Sequence, residues 1–342
     1  MSQQSGALLR IPGFFRHWEW ILVVLIALVY GFFSVELPGV YTFGNLLNQT
    51  RVYMVDVGFM ALGMMLVLLL GDIDISVGSV AALSATVMAV TFGAGLPFPL
   101  AIVLMLLVGA ACGFLNGLLI IRFKELYPMI ITLSTLTLYR GIAYIILKDQ
   151  SAGGFPQWFA KDLGYGSVNL FGLEIPIMLL SILLVIPFYA VWVHRTPSGR
   201  RIFATGTNIV AARYSGLKTD RIKLIVFTLN GLLAAVGGFF LCARTGSVKY
   251  TLATGYEMQA IAIAVLGGAS TAGGKGSAIG VLLSLVLMTC LKNGLMIAYN
   301  DAFILNLAIG VLLIAVVLVP NMVESARKKR QIHTRATSTA RN

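Results

Sequence analysis

The sequence predicts an all-α polytopic membrane protein, and three observations carry that reading. Of 342 residues, 58% are hydrophobic and only 11% are charged, whereas a soluble domain carries about a quarter charged residues. Apolar runs of about twenty residues, the length that spans a hydrocarbon core, recur from end to end and leave no segment to bury a water-soluble core of its own. Mean hydropathy is +0.90. The basic residues behind the formal net charge of +12 collect in the tails and in one long loop, as they do in cytoplasmic segments of multi-pass proteins.

In chain order, spans are predicted near 18–37, 52–70, 78–95, 99–121, 129–147, 174–193, 223–243, 257–268, 277–297 and 303–319. That makes about ten transmembrane helices in a single domain over 18–320, between an N-terminal tail, 1–17, and a basic C-terminal tail, 321–342. The first run has no small-x-small cleavage site after it, so it reads as a retained span and not a signal peptide. The run 257–268 is too short for a full crossing and leads into "LGGASTAGGKGSAIG", the signature of a half-helix that breaks within the membrane. Arg10 and Arg16, then Arg195, Arg200, Arg201, Arg213, Lys218 and Arg221 of the loop 194–222, then Arg327, Lys328, Lys329, Arg330, Arg335 and Arg341 fall on one side if the number of spans is even. Both termini are therefore expected in the cytoplasm.

The positive charge then serves topology and attraction to acidic membrane lipids. Dispersed over loops without interleaved aromatics, it does not suit nucleic acid. Cys112, Cys242 and Cys290 lie in apolar runs without metal-ligand spacing and read as small buried hydrophobes. His17, His194 and His333 lie outside the spans, so no metal, cofactor or histidine base is expected at membrane depth, and the chain is not read as an enzyme.

Between two apolar runs stands "GDIDISVGS", with Asp72, Asp74 and Ser76 and no base beside them. Gly71 and Gly78 free the backbone from helical geometry, and a broken helix near 71–78 follows. Such a break is tolerated at membrane depth only where protein buries it or water reaches it. The segment 267–276 repeats the layout of an apolar run, a glycine-rich insert, Gly-Ser and a second apolar run, as an internal duplication would. Lys275 does not make a phosphate loop, because Ala269 and Gly276 stand where glycine and Ser/Thr are needed. In the loop 194–222, a helix over Thr207 to Tyr214, after Gly206 and before Ser215-Gly216, would form an exposed knob suited to docking on another protein. A solvated loop whose arginines only set topology is the alternative.

Taken together, the "GDIDISVGS" segment, "TLSTLTLYRG" (Thr132 to Gly141), "GRRIFATGTNIVAARYSG" (Gly199 to Gly216) and "VLGGASTAGGKGS" resemble the permease subunit of bacterial carbohydrate ABC importers, the branch that takes up ribose, xylose, rhamnose and autoinducer 2. The resemblance runs over essentially the whole chain in the same order. It implies a second permease chain, identical or similar, cytoplasmic ABC ATPase subunits, and a periplasmic sugar-binding protein that delivers the solute. It also implies an ATPase-coupling loop over Gly199, Arg200, Gly206, Asn208, Ala211, Ala212, Arg213, Tyr214 and Gly216. For the substrate pathway the candidates are Asp74 and Ser76, with Asp72, Asn116, Thr132, Tyr139 and Arg140 behind them, since carboxylate, amide and hydroxyl groups suit a polyhydroxylated ligand. The same residues have a plainer reading, in which Asp74 and Ser76 cap a helix, Arg140 neutralises an acid, and Asn116 and Thr132 bond neighbouring helices. One position departs from the family, which has a glycine where this chain has Asp72. A branched-chain amino-acid ABC permease is the nearest alternative function. An ion-coupled secondary transporter, using the same acids for protons or sodium, is the more distant one.

Overall fold

The computed structural model describes residues 18–301 except 171, together with 303–305, 307–311 and 314. The predicted tails 1–17 and 321–342, and residues 306, 312, 313 and 315–319 of the predicted span 303–319, lie outside the described residues.

The first apolar run forms α1 (Trp18–Glu36). The predicted span 52–70 instead divides into α2 (Phe43–Tyr53) and α3 (Val55–Leu69), bent by 59° at Met54. Thr42 caps α2 by accepting the Asn45 N–H (3.2 Å), and the Asp56 carboxylate takes the Val57 N–H (2.8 Å) at the start of α3. After a non-helical stretch come α4 (Val77–Gly93), α5 (Phe98–Arg122) and α6 (Pro128–Leu147), the last two opening on prolines placed where no helical N–H is needed. The segment before α7 (Ile177–Arg195) is not all-helical. It holds β1 (Ala152–Gly153), a π-helical turn Trp158–Leu163, and a hairpin of β2 (Ser167–Leu170) with β3 (Leu173–Pro176).

Two short helices follow, α8 (Pro197–Thr207) and α9 (Ile209–Tyr214). The helix expected over Thr207 to Tyr214 is corrected here: Gly206 and Thr207 belong to α8, and Asn208 caps α9 by accepting the N–H groups of Val210 (3.0 Å) and Ala211 (2.9 Å). Then come α10 (Thr219–Thr245), β4 (Ser247–Val248, paired with β1), α11 (Tyr256–Leu266) and α12 (Ala278–Tyr299), which Ser277 caps. By length and composition six helices can cross a membrane, or seven if the bent α2–α3 pair counts as one span, with α4 and α11 as shorter apolar helices. The fold is thus a mostly helical multi-pass bundle, and the count of ten is not reached among the described residues.

At the centre stands α3, all of whose residues are buried. Around it pack α10 and α11, with α5 and α4 against α10, α6 against α4, and α1 against α12. Outward faces carry exposed large apolar side chains, such as Leu107 and Leu118 of α5, Leu133 and Ile145 of α6, and Leu184 and Phe188 of α7. Water would disfavour such a surface, and lipid does not.

The α5–α10 contact shows how apolar helices bind each other without a hydrophobic driving force. Gly109, Gly113 and Gly117 recur every fourth residue on α5 and meet α10 backbone. A Cβ at Gly109 would run into the Gly231 carbonyl, one at Gly113 into the Phe227 carbonyl, and one at Gly117 would press on the Leu224 Cα. Small residues let the two backbones approach, and dispersion over that contact replaces the missing hydrophobic term. Gly113→Leu is expected to lower stability by about 1–3 kcal/mol or more through overpacking. Gly141→Leu, where a new Cβ meets nothing within 4 Å, should be close to neutral. Thermal unfolding of both variants in detergent checks the difference.

Candidate functional site

Between α3 and α4 the backbone leaves helical geometry at Gly71, which has φ +79°. Asp74, 2% exposed, sits in this break. Its Oδ1 accepts both the backbone N–H (2.8 Å) and the hydroxyl (2.7 Å) of Ser76, and its Oδ2 accepts from the Asn230 amide (2.8 Å). Ser76 Oγ in turn accepts from Asn116 Nδ2 (2.8 Å), and the Tyr139 hydroxyl lies 2.9 Å from Asn116 Oδ1 and 3.1 Å from the Cys112 carbonyl. Thr132 Oγ1 takes the Ile75 N–H at 3.3 Å and lies 3.2 Å from the Met129 carbonyl. Asp74, Ser76, Asn116 and Tyr139 therefore meet in one hydrogen-bonded network, and Thr132 bonds the backbone of the same break, each of them buried. Helices α5, α6 and α10 supply what the unwound backbone and the carboxylate require.

The other two pathway candidates lie elsewhere. Asp72 faces Lys223 of α10, with Nζ 2.7 and 3.0 Å from its two oxygens, and both side chains are largely buried. Asp72 thus has a base to match it. Arg140 is not with the acids of the break. It donates to the carbonyls of Tyr250 (2.7 Å) and Leu252 (2.6 Å), tying α6 to the turn before α11.

The second break, between α11 and α12, packs against the first. Gly273 and Gly274 adopt positive φ, and the Gly274 N–H donates to the Leu69 carbonyl at the end of α3 (2.9 Å). A Cβ on Gly273 would lie 3.0 Å from the Gly71 nitrogen and would press on the Gly206 carbonyl. Gly206, near the end of α8, itself contacts the Leu69 carbonyl so closely that no side chain fits. The two breaks and α8 therefore share one glycine-lined backbone junction. The Ala278 N–H also donates to His194 Nε2 (3.2 Å), joining the start of α12 to the end of α7.

From this junction α9 projects outward. Asn208, Ala211, Arg213 and Tyr214 are exposed, Tyr214 at 91%, whereas Ala212 turns inward at 5%. Within the coupling loop Gly199 is buried under the Thr196 cap, Arg200 is exposed, and Gly216 ends the knob in a left-handed turn. Arg213 reaches Asp220 (3.1 Å), which Lys124 also contacts (2.7 Å), so the knob is tied to the first turn of α10 and to the α5–α6 link. These pairs are exposed, and such pairs contribute only about 0–1 kcal/mol each.

Sequence reasoning missed Asn230 and Lys223, and at the opposite end of the bundle it missed Asp56, Arg244 and Lys292. Arg244 Nη2 lies 3.1 Å from Asp56 Oδ2, and Asp56 is fully buried. The available signal was a polar or ionisable residue inside an apolar run, a rule that holds for one residue as well as for a cluster.

Two substitutions separate the parts of the network. Asn230 Oδ1 is buried without a partner, so Asp74→Asn can be accommodated by turning the Asn230 amide over, and should cost about 1–2 kcal/mol. Asp74→Ala leaves the Ser76 N–H and the Asn230 amide unpaired and should cost about 3–5 kcal/mol. Equal unfolding midpoints for the two purified variants would contradict the network. Asp72→Gly should destabilise by about 1–3 kcal/mol by stranding Lys223, and adding Lys223→Met should recover most of that, as read from a double-mutant cycle.

Comparison with known proteins agrees with this architecture. Residues 46–319 match the family model described as branched-chain amino acid transport system / permease component. The autoinducer 2 import system permease protein LsrD of Escherichia coli K12 is 34% identical over 307 residues, covering 88% of this chain and 91% of that protein. The Shigella flexneri and Escherichia coli O157:H7 proteins of the same name match at the same identity and coverage. No solved structure matches. The chain belongs to the branched-chain amino acid transport system / permease component family, and is a permease subunit of an ABC importer.

Proposed function

We propose that this permease, paired with a second permease chain, forms the membrane pathway for a sugar or sugar-like molecule, delivered by a periplasmic binding protein and driven by separate cytoplasmic ATPase subunits. The protein is a transport component and not an enzyme, so energy has to arrive through a contact. The observation that carries the proposal is the glycine junction, where α8, continuous with the exposed knob α9, touches both membrane breaks through backbone alone. A rigid contact of this kind passes a displacement of α9 to the ends of α3 and α11, whereas the exposed ion pairs beside it are too weak to do so. The import of autoinducer 2 named for the similar permeases supports a sugar-like solute over a branched-chain amino acid.

In this reading the α8–α9 end faces the cytoplasm. Arg122, Lys124, Arg195, Arg200, Arg201, Lys218 and Arg221 all belong to segments at that end, which supports the orientation. The short helices α4 and α11 and the run 303–319 are then the remaining membrane legs of a ten-span chain, and α3–α4 and α11–α12 are its duplicated broken pairs. Asp74, Ser76, Asn116, Thr132 and Tyr139 hold the first break in shape beside the pathway. Their hydrogen bonds are already directed at one another, which leaves little for a solute.

Ala211→Trp and Tyr214→Ala, both on the exposed side of α9, should leave yield and unfolding unchanged while lowering ATPase co-purification and solute uptake by roughly tenfold or more. Ala212 is unsuitable for this test because it is buried. Unchanged binding and uptake in both variants would remove α9 as the docking element. Uptake by liposomes holding this chain alone, driven by an ion gradient, would replace the ABC reading with a secondary transporter.

A further inference from the structure

At the end of the bundle away from α9, a cavity of about 140 Å³ is lined by Tyr53, Asp56, Arg244, Tyr256, Gln259 and Lys292, among others. Its charges do not balance. Asp56 is matched by Arg244 at 3.1 Å, and its Oδ2 lies 3.4 Å from the Tyr256 hydroxyl. Lys292, only 4% exposed, has the neutral Gln259 Oε1 as its hydrogen-bond partner and stands 5.8 Å from the centre of the Tyr53 ring. Among the described residues no second acid lies within ion-pair distance of either base. Glu257, beside Tyr256 on α11, is directed at the Gly255 N–H instead (3.1 Å). Two cations and one anion therefore line one half-open pocket.

A buried ammonium with only a neutral hydrogen-bond partner is costly, and a neighbouring guanidinium adds to the positive charge an oxyanion would meet. We propose that this pocket binds an oxyanion, a phosphate- or carboxylate-type group, at Lys292 Nζ, beside the Arg244–Asp56 pair. Lys292 has donors to spare beyond the one given to Gln259, while Arg244 stays on Asp56 and adds its positive charge to the pocket. The oxyanion supplies the missing negative charge and locks α3, α10, α11 and α12 together at this end. The group comes either from a free anion or from the headgroup of an acidic lipid. The inference stands apart from which solute the chain moves.

The test uses the permease purified with its partner subunits in neutral detergent, with thermal unfolding followed as inorganic phosphate replaces chloride at constant ionic strength. The unfolding midpoint should rise saturably, with half-saturation shifted roughly 10- to 100-fold upward in Lys292→Met. Without phosphate, Lys292→Met should unfold no earlier than the parent, since it removes the uncompensated charge. In a second arm phosphatidylglycerol is compared with phosphatidylcholine in mixed micelles. Stabilisation by phosphatidylglycerol alone, lost in Lys292→Met, assigns the oxyanion to a lipid headgroup, and stabilisation by phosphate assigns it to a free anion. If neither stabilises in a Lys292-dependent way, or if Lys292→Met lowers the midpoint equally with and without phosphate, the proposal is overturned.

Discussion

A carboxylate held away from water has to find its hydrogen bonds in the protein, and the centre of this molecule is arranged around that demand. Asp74 sits where the chain has just stopped being helical, so the carboxylate and the unwound backbone need partners in the same place. The Ser76 N–H satisfies one from the other (2.8 Å), and the remaining capacity is met by side chains from other helices. Those side chains can arrive only because α5 and α10 approach at glycine distance. Asn116 lies between Gly113 and Gly117, and Asn230 directly precedes Gly231. The small-residue stripe and the polar network are thus one construction, since the first brings the backbones together and the second uses the closeness.

The same logic separates strong mechanical links from weak ones. The knob α9 is held sideways by exposed pairs of Arg213 and Lys124 with Asp220, which salt and water screen. Lengthwise it continues through Asn208 into α8, whose Gly206 rests on the Leu69 carbonyl with no room for a side chain. Backbone-on-backbone contact has almost no slack in a close-packed interior. A push on α9 is therefore free to swing the exposed pairs but must move the junction. The two breaks meet at that junction because each is a place where α3 or α11 runs out of helix.

Much of this was legible from residue type. The apolar runs located α1, α5, α6 and α7 closely, and the glycines at 71 and 267–276 located both breaks. Other features were hidden for physical reasons. Gly206 reads as the residue before a helix, but close contact with neighbouring backbone requires glycine at 199 and 206 inside α8, so that helix went unseen and its successor was given the wrong start. Tyr139 and Arg140 are adjacent in sequence yet about 100° apart around α6. One joins the Asn116 network while the other turns to the carbonyls of Tyr250 and Leu252. Asp56 and Lys292 were absorbed into apolar runs because single charges barely change a run's hydropathy, although each is costly enough to demand a partner.

The ties on α10 point to one further consequence. Along its length α10 bonds to α3 and the following break at three levels: Lys223 with Asp72, Asn230 with Asp74, and Arg244 with Asp56. Apolar packing between antiparallel membrane helices is nearly indifferent to a one-turn slip, because lipid and leucine are alike to both surfaces. A slip of α10 by one turn, about 5.4 Å, would strand three acids and two bases at once, so these ties fix the register that packing leaves open. Asp72 then has a role of its own: with Lys223 it secures the α10 end nearest the knob. Because these ties span α10 from Lys223 to Arg244, α3 and α10 respond to a displacement at the end of α3 as a single body.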